Sequence, residues 1–256
     1  MHFLLLFDLP SLLFVLSSLM IGFIVGGRNL QQSISLSRAI SVPIGACGTL
    51  IGFIRILTSL ADPSSLGPAF TVALLPSIYG LLLSVFLDAI SSRMDSAPEA
   101  SSQILQGNMI AGCVLSLMFP ILVITLDAPL TAFIDFSSVI LIFLGAPLLS
   151  YFTERTVNAR IKALGKYSII MSLIAILCSA SLLPSIWSDP TEIGPVMAVG
   201  LLSLLYGGVL YTLSQVLHHS LYRKSFSYSL QGSSVYLLST LFIGVSFFLP
   251  LMHSFT

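Results

Sequence analysis

The sequence predicts an all-α membrane protein with about eight transmembrane helices. Of its 256 residues, 56% are hydrophobic and only 8% are charged, and the mean hydropathy is +1.03. Soluble domains carry about 25% charged residues, so this composition excludes an ordinary soluble domain. Apolar runs of roughly 20 residues, the length that crosses a bilayer as a helix, recur along the whole chain.

Eight apolar segments are long enough to span a bilayer, and polar residues interrupt the sequence between them. We predict spans at 9–26, 39–60, 68–90, 105–126, 134–152, 167–187, 195–217 and 230–251. The first segment has no basic residues before it and follows Asp8. We therefore expect it to be a retained helix and not a signal peptide.

Basic residues are concentrated in alternate loops. Nine of the 10 lysines and arginines fall in 27–38, 91–106, 153–166 and 218–231. Cytoplasmic loops carry an excess of Lys and Arg, so we expect these four loops in the cytoplasm and both termini outside. The formal net charge is zero, and the sequence lacks the basic stripe that a nucleic-acid partner requires.

Two stretches of similar sequence indicate an internal repeat. Residues 61–80 (ADPSSLGPAFTVALLPSIYG) align without a gap with residues 188–207 (SDPTEIGPVMAVGLLSLLYG). Four predicted spans separate corresponding positions, so the two units have the same orientation in the membrane and the repeat is parallel. We expect a first unit at 1–103, a second unit at 104–229 and an extra C-terminal helix at 230–256.

Small and charged residues in the second span suggest contacts with other helices. Gly45, Gly48 and Gly52 recur at helical spacing and form a face that another helix can approach closely. Arg55 lies inside the apolar run, where a charge requires a partner. Asp62, two turns further along, is one candidate, and the carboxylate of a separate protein is another. We assign these five residues to a partner interface.

Other polar residues favour structural roles. We expect Pro68 and Pro195 at first helical positions, and Asp88 and the pair His218-His219 at solvated helix ends. The three cysteines are isolated within apolar runs. No catalytic set, metal-ligand cluster or phosphate-binding loop is present. We therefore expect neither an enzyme nor a bound metal or cofactor.

Residues 45–80 resemble the third and fourth transmembrane helices of the MotA/PomA flagellar stator A subunits, in the MotA/TolQ/ExbB proton-channel superfamily. The carrying motifs are Gly-Thr-Leu-Ile-Gly at 48–52, Asp62-Pro63, Gly67-Pro68, the run 72–75 and Tyr79-Gly80. The resemblance implies a bacterial inner-membrane location and a ring of A subunits around the single-span helices of a MotB-like partner. It also implies an ion pathway at Thr49, Ser77, Pro68 and Tyr79.

The sequence departs from this family in two ways. Only about a dozen residues separate the second and third helices of each unit, where the family has a long cytoplasmic segment that engages the rotor. In the second unit, the position of Thr49 is Ile176 and that of Ser77 is Leu204. The resemblance thus predicts a stator-type component that binds a MotB-like protein or the flagellar basal body, with conducting and non-conducting roles both open.

Two other functions are compatible with the same composition. A solute transporter with parallel four-helix repeats would need a polar cavity near the middle of the membrane between its halves. A structural membrane scaffold would need only helix packing. A scaffold would tolerate the loss of the Thr49 and Ser77 hydroxyls but not replacements at Gly48 and Gly52, and this distinguishes it from a channel.

Overall fold

The computed structural model describes residues 7–27, 29–58, 66–94, 106–127, 133–186, 190–222 and 230–254. In these segments the chain is all-α, with no strand, as predicted. The helices are α1 (Leu9–Gly26), α2 (Leu30–Thr58), α3 (Leu66–Ser91), α4 (Gln106–Asp127), α5 (Phe136–Thr153), α6 (Val157–Ile186), α7 (Pro190–Tyr222) and α8 (Leu230–Ser254).

Length and composition make α1 to α7 candidate membrane spans. Among the described residues, seven helices are long and apolar enough to cross a membrane, and α8 contributes a shorter apolar stretch, Ser233–Ser246. Helices α2 and α6 begin at Leu30 and Val157, well before the predicted starts at 39 and 167. The prediction followed the apolar runs, but each helix already begins in the polar residues that precede its run.

Aspartates cap α1 and α5 in the same way. Asp8 accepts a hydrogen bond from the backbone N–H of Ser11 at 2.9 Å, and Asp135 accepts one from Ser138 at 2.9 Å. Both aspartates have extended backbone conformations, as N-cap residues do. Each carboxylate thus satisfies a helix N–H that has no partner within the helix.

Helix α2 is at the centre of the bundle. Within its membrane-length window 89% of residues are buried, compared with 67% for α7, 39% for α3 and 33% for α6. It packs against α1, α3, α7 and α8, while α6 packs against α5 and α7. The contact of α2 with α7 therefore joins the first three helices to the later ones.

Both ends of α1 and α5, and the starts of α2 and α6, repeat at a fixed offset. Leu9–Gly26 and Phe136–Thr153 are both 18 residues long, and each end of α5 lies 127 positions after the corresponding end of α1. The starts of α2 at Leu30 and α6 at Val157 have the same offset. The pairings α2 with α3 and α6 with α7 also correspond.

Two expectations for proline and histidine positions are wrong. Pro68 and Pro195 are not first helical residues, because α3 begins at Leu66 and α7 at Pro190. Pro195 consequently lies inside α7. His218 and His219 are not at a solvated end, because α7 continues past them and both are buried. His218 Nε2 lies 2.8 Å from Asn158 Oδ1 of α6.

Candidate functional site

Helices α2 and α3 cross at a line of glycines. A Cβ atom added to Gly45 would lie 2.5 Å from the backbone oxygen of Pro76, and one added to Gly52 would lie 2.8 Å from Cβ of Ala73. A Cβ atom added to Gly48 would come similarly close to the side chain of Pro76 and to the ring of Phe14. These glycines let α3 approach α2 within the chain, and their expected role at a partner interface stays a prediction.

Two buried hydroxyl side chains meet at this crossing. Thr49 Oγ1 lies 2.7 Å from Ser77 Oγ, and the backbone N–H of Ser77 donates to Thr49 Oγ1 at 3.3 Å. Both residues are almost fully buried. The structure therefore brings together two of the four residues that the resemblance assigns to an ion pathway.

The other two pathway residues lie apart from this hydroxyl pair. The Tyr79 hydroxyl accepts a hydrogen bond from the backbone N–H of Asp8 at 3.1 Å, which joins α3 to the start of α1. Pro68 is exposed in the first turn of α3. Their contacts thus describe the packing and the beginning of a helix, and a place along an ion route stays a prediction.

The tyrosine contact recurs in the second half of the chain. Tyr206 accepts from the backbone N–H of Asp135 at 3.1 Å and donates to the Phe133 carbonyl at 2.6 Å. The Asp8–Tyr79 and Asp135–Tyr206 pairs each span 71 positions. Burial raises the pKa of the Asp135 carboxyl, but hydrogen bonds from Ser138 and Ser137 outweigh burial and lower the pKa below its usual value.

The hydroxyl pair does not recur at the same place. Ile176 and Leu204, which occupy the positions of Thr49 and Ser77, are buried apolar residues. Instead, Ser138 Oγ lies 2.8 Å from Ser203 Oγ, between α5 and α7. The sequence analysis missed this pair because serines are frequent in the second half and their spacing does not show which ones meet.

Arg55 is one of the two charged residues of α2, and Arg38 is the other. Arg55 is exposed near the C-terminal end of the helix, whereas its neighbours Ile54 and Ile56 are buried. Asp62, its expected partner, lies outside the described residues. At the other end of the crossing, Arg38 of α2 forms an ion pair with Asp88 of α3, which is 63% exposed.

The last helix inserts a tyrosine between the two halves. Tyr236 of α8 is fully buried and donates to the Leu204 carbonyl at 3.0 Å, and its hydroxyl lies 3.6 Å from the Cys47 sulfur. The sequence analysis left this helix without a role. Its tyrosine shows that α8 packs on the contact between α2 and α7.

One small cavity lies between the halves in the described part of the chain. A cavity of about 10 Å³ lies where α1, α2, α4 and α7 meet, and Ser17, Cys47, Ser116 and Thr212 are among its lining residues. That volume accommodates about one water molecule. Among the described residues, no group of three or more His, Cys, Asp or Glu side chains could hold a metal ion.

These features define a multi-pass helical membrane protein with a buried polar contact between two closely packed helices. Residues 30–106 match the model of the MotA/TolQ/ExbB proton channel family. The match covers α2, α3 and therefore the glycine line and the Thr49–Ser77 pair. The chain is MotA-like in this segment.

Curated relatives match a similarly short part. Motility protein A of Aquifex aeolicus is 41% identical over 56 residues, which cover 22% of this chain and 22% of that protein. Chemotaxis protein PomA of Vibrio alginolyticus is 44% identical over 57 residues, 20% of this chain and 22% of that protein. Motility protein A of Cereibacter sphaeroides is 50% identical over 40 residues, 16% of each chain.

The chain thus spans about a fifth of the length of the curated relatives it matches. No solved structure matches it. The matched family consists of proton channels and not of enzymes, in agreement with the expectation that this chain is not an enzyme.

Proposed function

We propose that this protein is a MotA-like component of a stator-type complex in the bacterial inner membrane. It binds a MotB-like single-span protein, or the flagellar basal body, through its first half. The observation that carries the proposal is the Thr49–Ser77 contact at the glycine-lined crossing of α2 and α3, inside the segment that matches the proton channel family.

Arg55 supplies the proposed recognition of the partner. Arg55 is exposed in the last turn of α2, where its long side chain can extend toward the membrane–water interface. A carboxylate near that end of a partner's membrane helix could bind the guanidinium there. Pairing would also fix the register of the two proteins, because Arg binds carboxylates in a defined geometry.

The two halves are proposed to be units of one duplicated fold. The offset of 127 positions between α1 and α5 and between the starts of α2 and α6, the matched aspartate caps and the two Asp–Tyr contacts support this proposal. The same duplication would place 1–103 and 104–229 in parallel orientation. The basic loops would then be cytoplasmic and both termini periplasmic.

An ion route, if the complex conducts, would pass the first half. Hydroxyl oxygens at Thr49 and Ser77 could replace water around a cation or carry a proton, whereas Ile176 and Leu204 offer no such oxygen. Replacing Thr49 by Val and Ser77 by Ala should then lower proton uptake into vesicles that contain the purified complex. The pair Ser138→Ala and Ser203→Ala is the matched control.

The water-sized cavity favours this proposal over a solute carrier. A carrier with parallel repeats needs a substrate site between its halves near the middle of the membrane. The cavity at that position holds about 10 Å³, far less than the roughly 300 Å³ at which small-molecule sites begin.

Purification of the tagged protein from its native cells in a gentle detergent tests the proposal, with mass spectrometry of the proteins that stay bound. We expect a single-span protein with an Asp or Glu in its membrane segment, or basal-body proteins. Recovery of this chain alone, as a monodisperse species, would overturn the proposal.

A further inference from the structure

The exposed face of α6 begins with positive charge and continues with apolar side chains. Five positions follow one another on this face at helical spacing, and all five side chains are exposed: Lys162, Lys166, Ile170, Ile174 and Leu177. The two lysines lie near the N-terminal end of the helix, and Leu177 is 70% exposed. The face therefore offers two ammonium groups at one end and an apolar strip, Ile170, Ile174 and Leu177, along the rest.

The first half has no comparable face. The residues 127 positions earlier on α2 are Ser35, Ala39, Pro43, Cys47 and Leu50. None of them is charged, and all except Ser35 are buried, because α2 lies at the centre of the bundle. The two lysines and their exposure are thus features of the second half alone.

The length of α6 places its lysines at the surface of the membrane. The helix has 30 residues, whereas about 20 residues span the hydrocarbon core, and its apolar run begins directly after Lys166. Leu177 follows Lys166 by 11 positions, a rise of about 16 Å along the helix axis. Half of the hydrocarbon core is about 15 Å thick. The apolar strip therefore has the length of one lipid leaflet, and the lysines lie at the level of the lipid headgroups.

An open cavity adjoins the two lysines where α5 ends and α6 begins. Its volume is about 260 Å³, and its lining residues are Glu154, Ala159, Lys162, Ala163, Lys166 and Tyr167. Two of these side chains are positive and one, Glu154, is negative. The cavity thus has a net positive charge and an opening toward the apolar strip of α6.

Contacts between the two helices hold the walls of this cavity together. Arg160 Nε donates to the Glu154 carbonyl at 2.7 Å, and the guanidinium carbon lies 4.2 Å from the centre of the Tyr151 ring. The Tyr167 hydroxyl donates to Thr153 Oγ1 at 3.1 Å. Tyrosines are enriched at membrane–water interfaces, where the ring is apolar and the hydroxyl reaches water. The cavity is therefore built at the interface and not in the hydrocarbon core.

We propose that this cavity binds the headgroup of an anionic phospholipid. The phosphate lies between the ammonium groups of Lys162 and Lys166, and one acyl chain lies along the apolar strip. Basic pockets between membrane helices bind anionic lipid headgroups in this way. An acidic protein would match the charge of the cavity, but it would leave the apolar strip unexplained. The inference rests on the second half and does not depend on the partner protein proposed for the first half.

Native mass spectrometry of the full-length chain in a neutral detergent tests the headgroup. Dioleoyl phosphatidylglycerol and dioleoyl phosphatidylcholine are titrated separately, and we expect the first lipid to bind at least tenfold more tightly. Lys162→Gln combined with Lys166→Gln should remove this preference. Arg28→Gln combined with Arg93→Gln removes the same charge from the basic segments of the first half and should retain it. Equal affinities for the two lipids, or an equal loss in the two double variants, would overturn the proposal.

A brominated lipid tests the apolar strip. Trp187, the one tryptophan of the chain, is first replaced by Phe, and Ile174→Trp is then introduced. The vesicles are phosphatidylcholine with a minor fraction of phosphatidylglycerol brominated on its acyl chains, which quenches nearby tryptophans. Val85→Trp is the matched control, because Val85 is exposed on α3 and lies eight positions from Arg93, as Ile174 does from Lys166.

We expect the brominated lipid to quench the Ile174→Trp chain at least twofold more strongly than the Val85→Trp chain. Adding Lys162→Gln and Lys166→Gln should reduce the quenching to that of the control. Equal quenching of the two chains would overturn the proposal and would favour a ligand outside the bilayer, such as an acidic protein. Displacement of phosphatidylglycerol by inorganic phosphate would also contradict it, since the apolar strip would then contribute nothing. Partner recovery in the purification experiment would be unaffected by either result.

Discussion

The α1–α3 half and the α5–α7 half differ in how their helices cross. In the first half, Gly45 lies against Pro76 and Gly80, with no side chain between the helices. In the second half, Ser172 occupies the position of Gly45 and lies against Gly207. The caps and the Asp–Tyr contacts are nevertheless shared. The ends of the units that carry the caps are therefore alike, and the helix crossings are different.

The largest effect is expected when the α2–α3 crossing receives the serine that the second half has at the corresponding position. Gly45→Ser should destabilise the protein by about 1 to 3 kcal/mol, because its new side chain meets the Pro76 backbone oxygen. Unfolding by SDS in mixed micelles, followed by circular dichroism, measures the change. Gly67→Ser is the control, since nothing lies within 4 Å of a Cβ there. Equal stability of the two variants would refute the close crossing.

The two hydroxyl pairs allow the interhelical hydrogen bonds of the two halves to be compared directly. A double-mutant cycle of Thr49→Val with Ser77→Ala should give a coupling of about 0.6 kcal/mol, and at most about 1.7 kcal/mol, as for other hydrogen bonds between membrane helices. The Ser138→Ala and Ser203→Ala cycle should give a similar value, because its two oxygens are equally close. A coupling near zero in the first cycle would mean that Thr49 and Ser77 do not pair in the membrane.

Substitutions of Tyr79 and Tyr206 test whether their contacts with Asp8 and Asp135 are equivalent in the two halves. Tyr79→Phe and Tyr206→Phe should each cost about 0.5 to 1.5 kcal/mol, the usual net contribution of a hydrogen bond. The same SDS titration measures both variants. If the contacts are equivalent, the two losses should agree within about 0.5 kcal/mol. A loss confined to one variant would count against a duplicated fold.

The smallest expected effect concerns the cap of α5. The lowered pKa of Asp135 means that the charged cap stabilises the folded state above its unfolded pKa of about 3.9. This contribution is lost as the pH falls through the folded-state pKa. At neutral pH, Asp135→Asn should therefore be less stable than the wild type by about 0.3 to 1 kcal/mol. That difference should decrease as the pH falls below about 4, and a pH-independent difference would contradict the charge argument.

The sequence predicted the features that follow from local patterns. Apolar runs predicted the eight helices that the described segments contain. The resemblance placed Thr49 and Ser77 together, and the structure shows their contact. Such features depend on residues near one another in sequence or on a shared motif.

Other features depend on packing between distant segments, which no local pattern shows. His218 and His219 follow an apolar run and were expected in solvent, but α7 continues and buries them against other helices. Tyr236 contacts Cys47 across 189 positions. The burial of the α2 face, in contrast to the exposed α6 face, likewise arises only when both halves are packed together.

In the proposed complex, the first half of the chain holds a single-span partner through Arg55. The most direct test measures how much of that partner is recovered from native cells with wild-type protein and with Arg55→Leu, which introduces the residue found at the corresponding position, Leu182. Arg93→Leu removes an equal charge after α3 and is the control. We expect Arg55→Leu to lower recovery at least tenfold while Arg93→Leu retains it. Undiminished recovery with Arg55→Leu would contradict the claim.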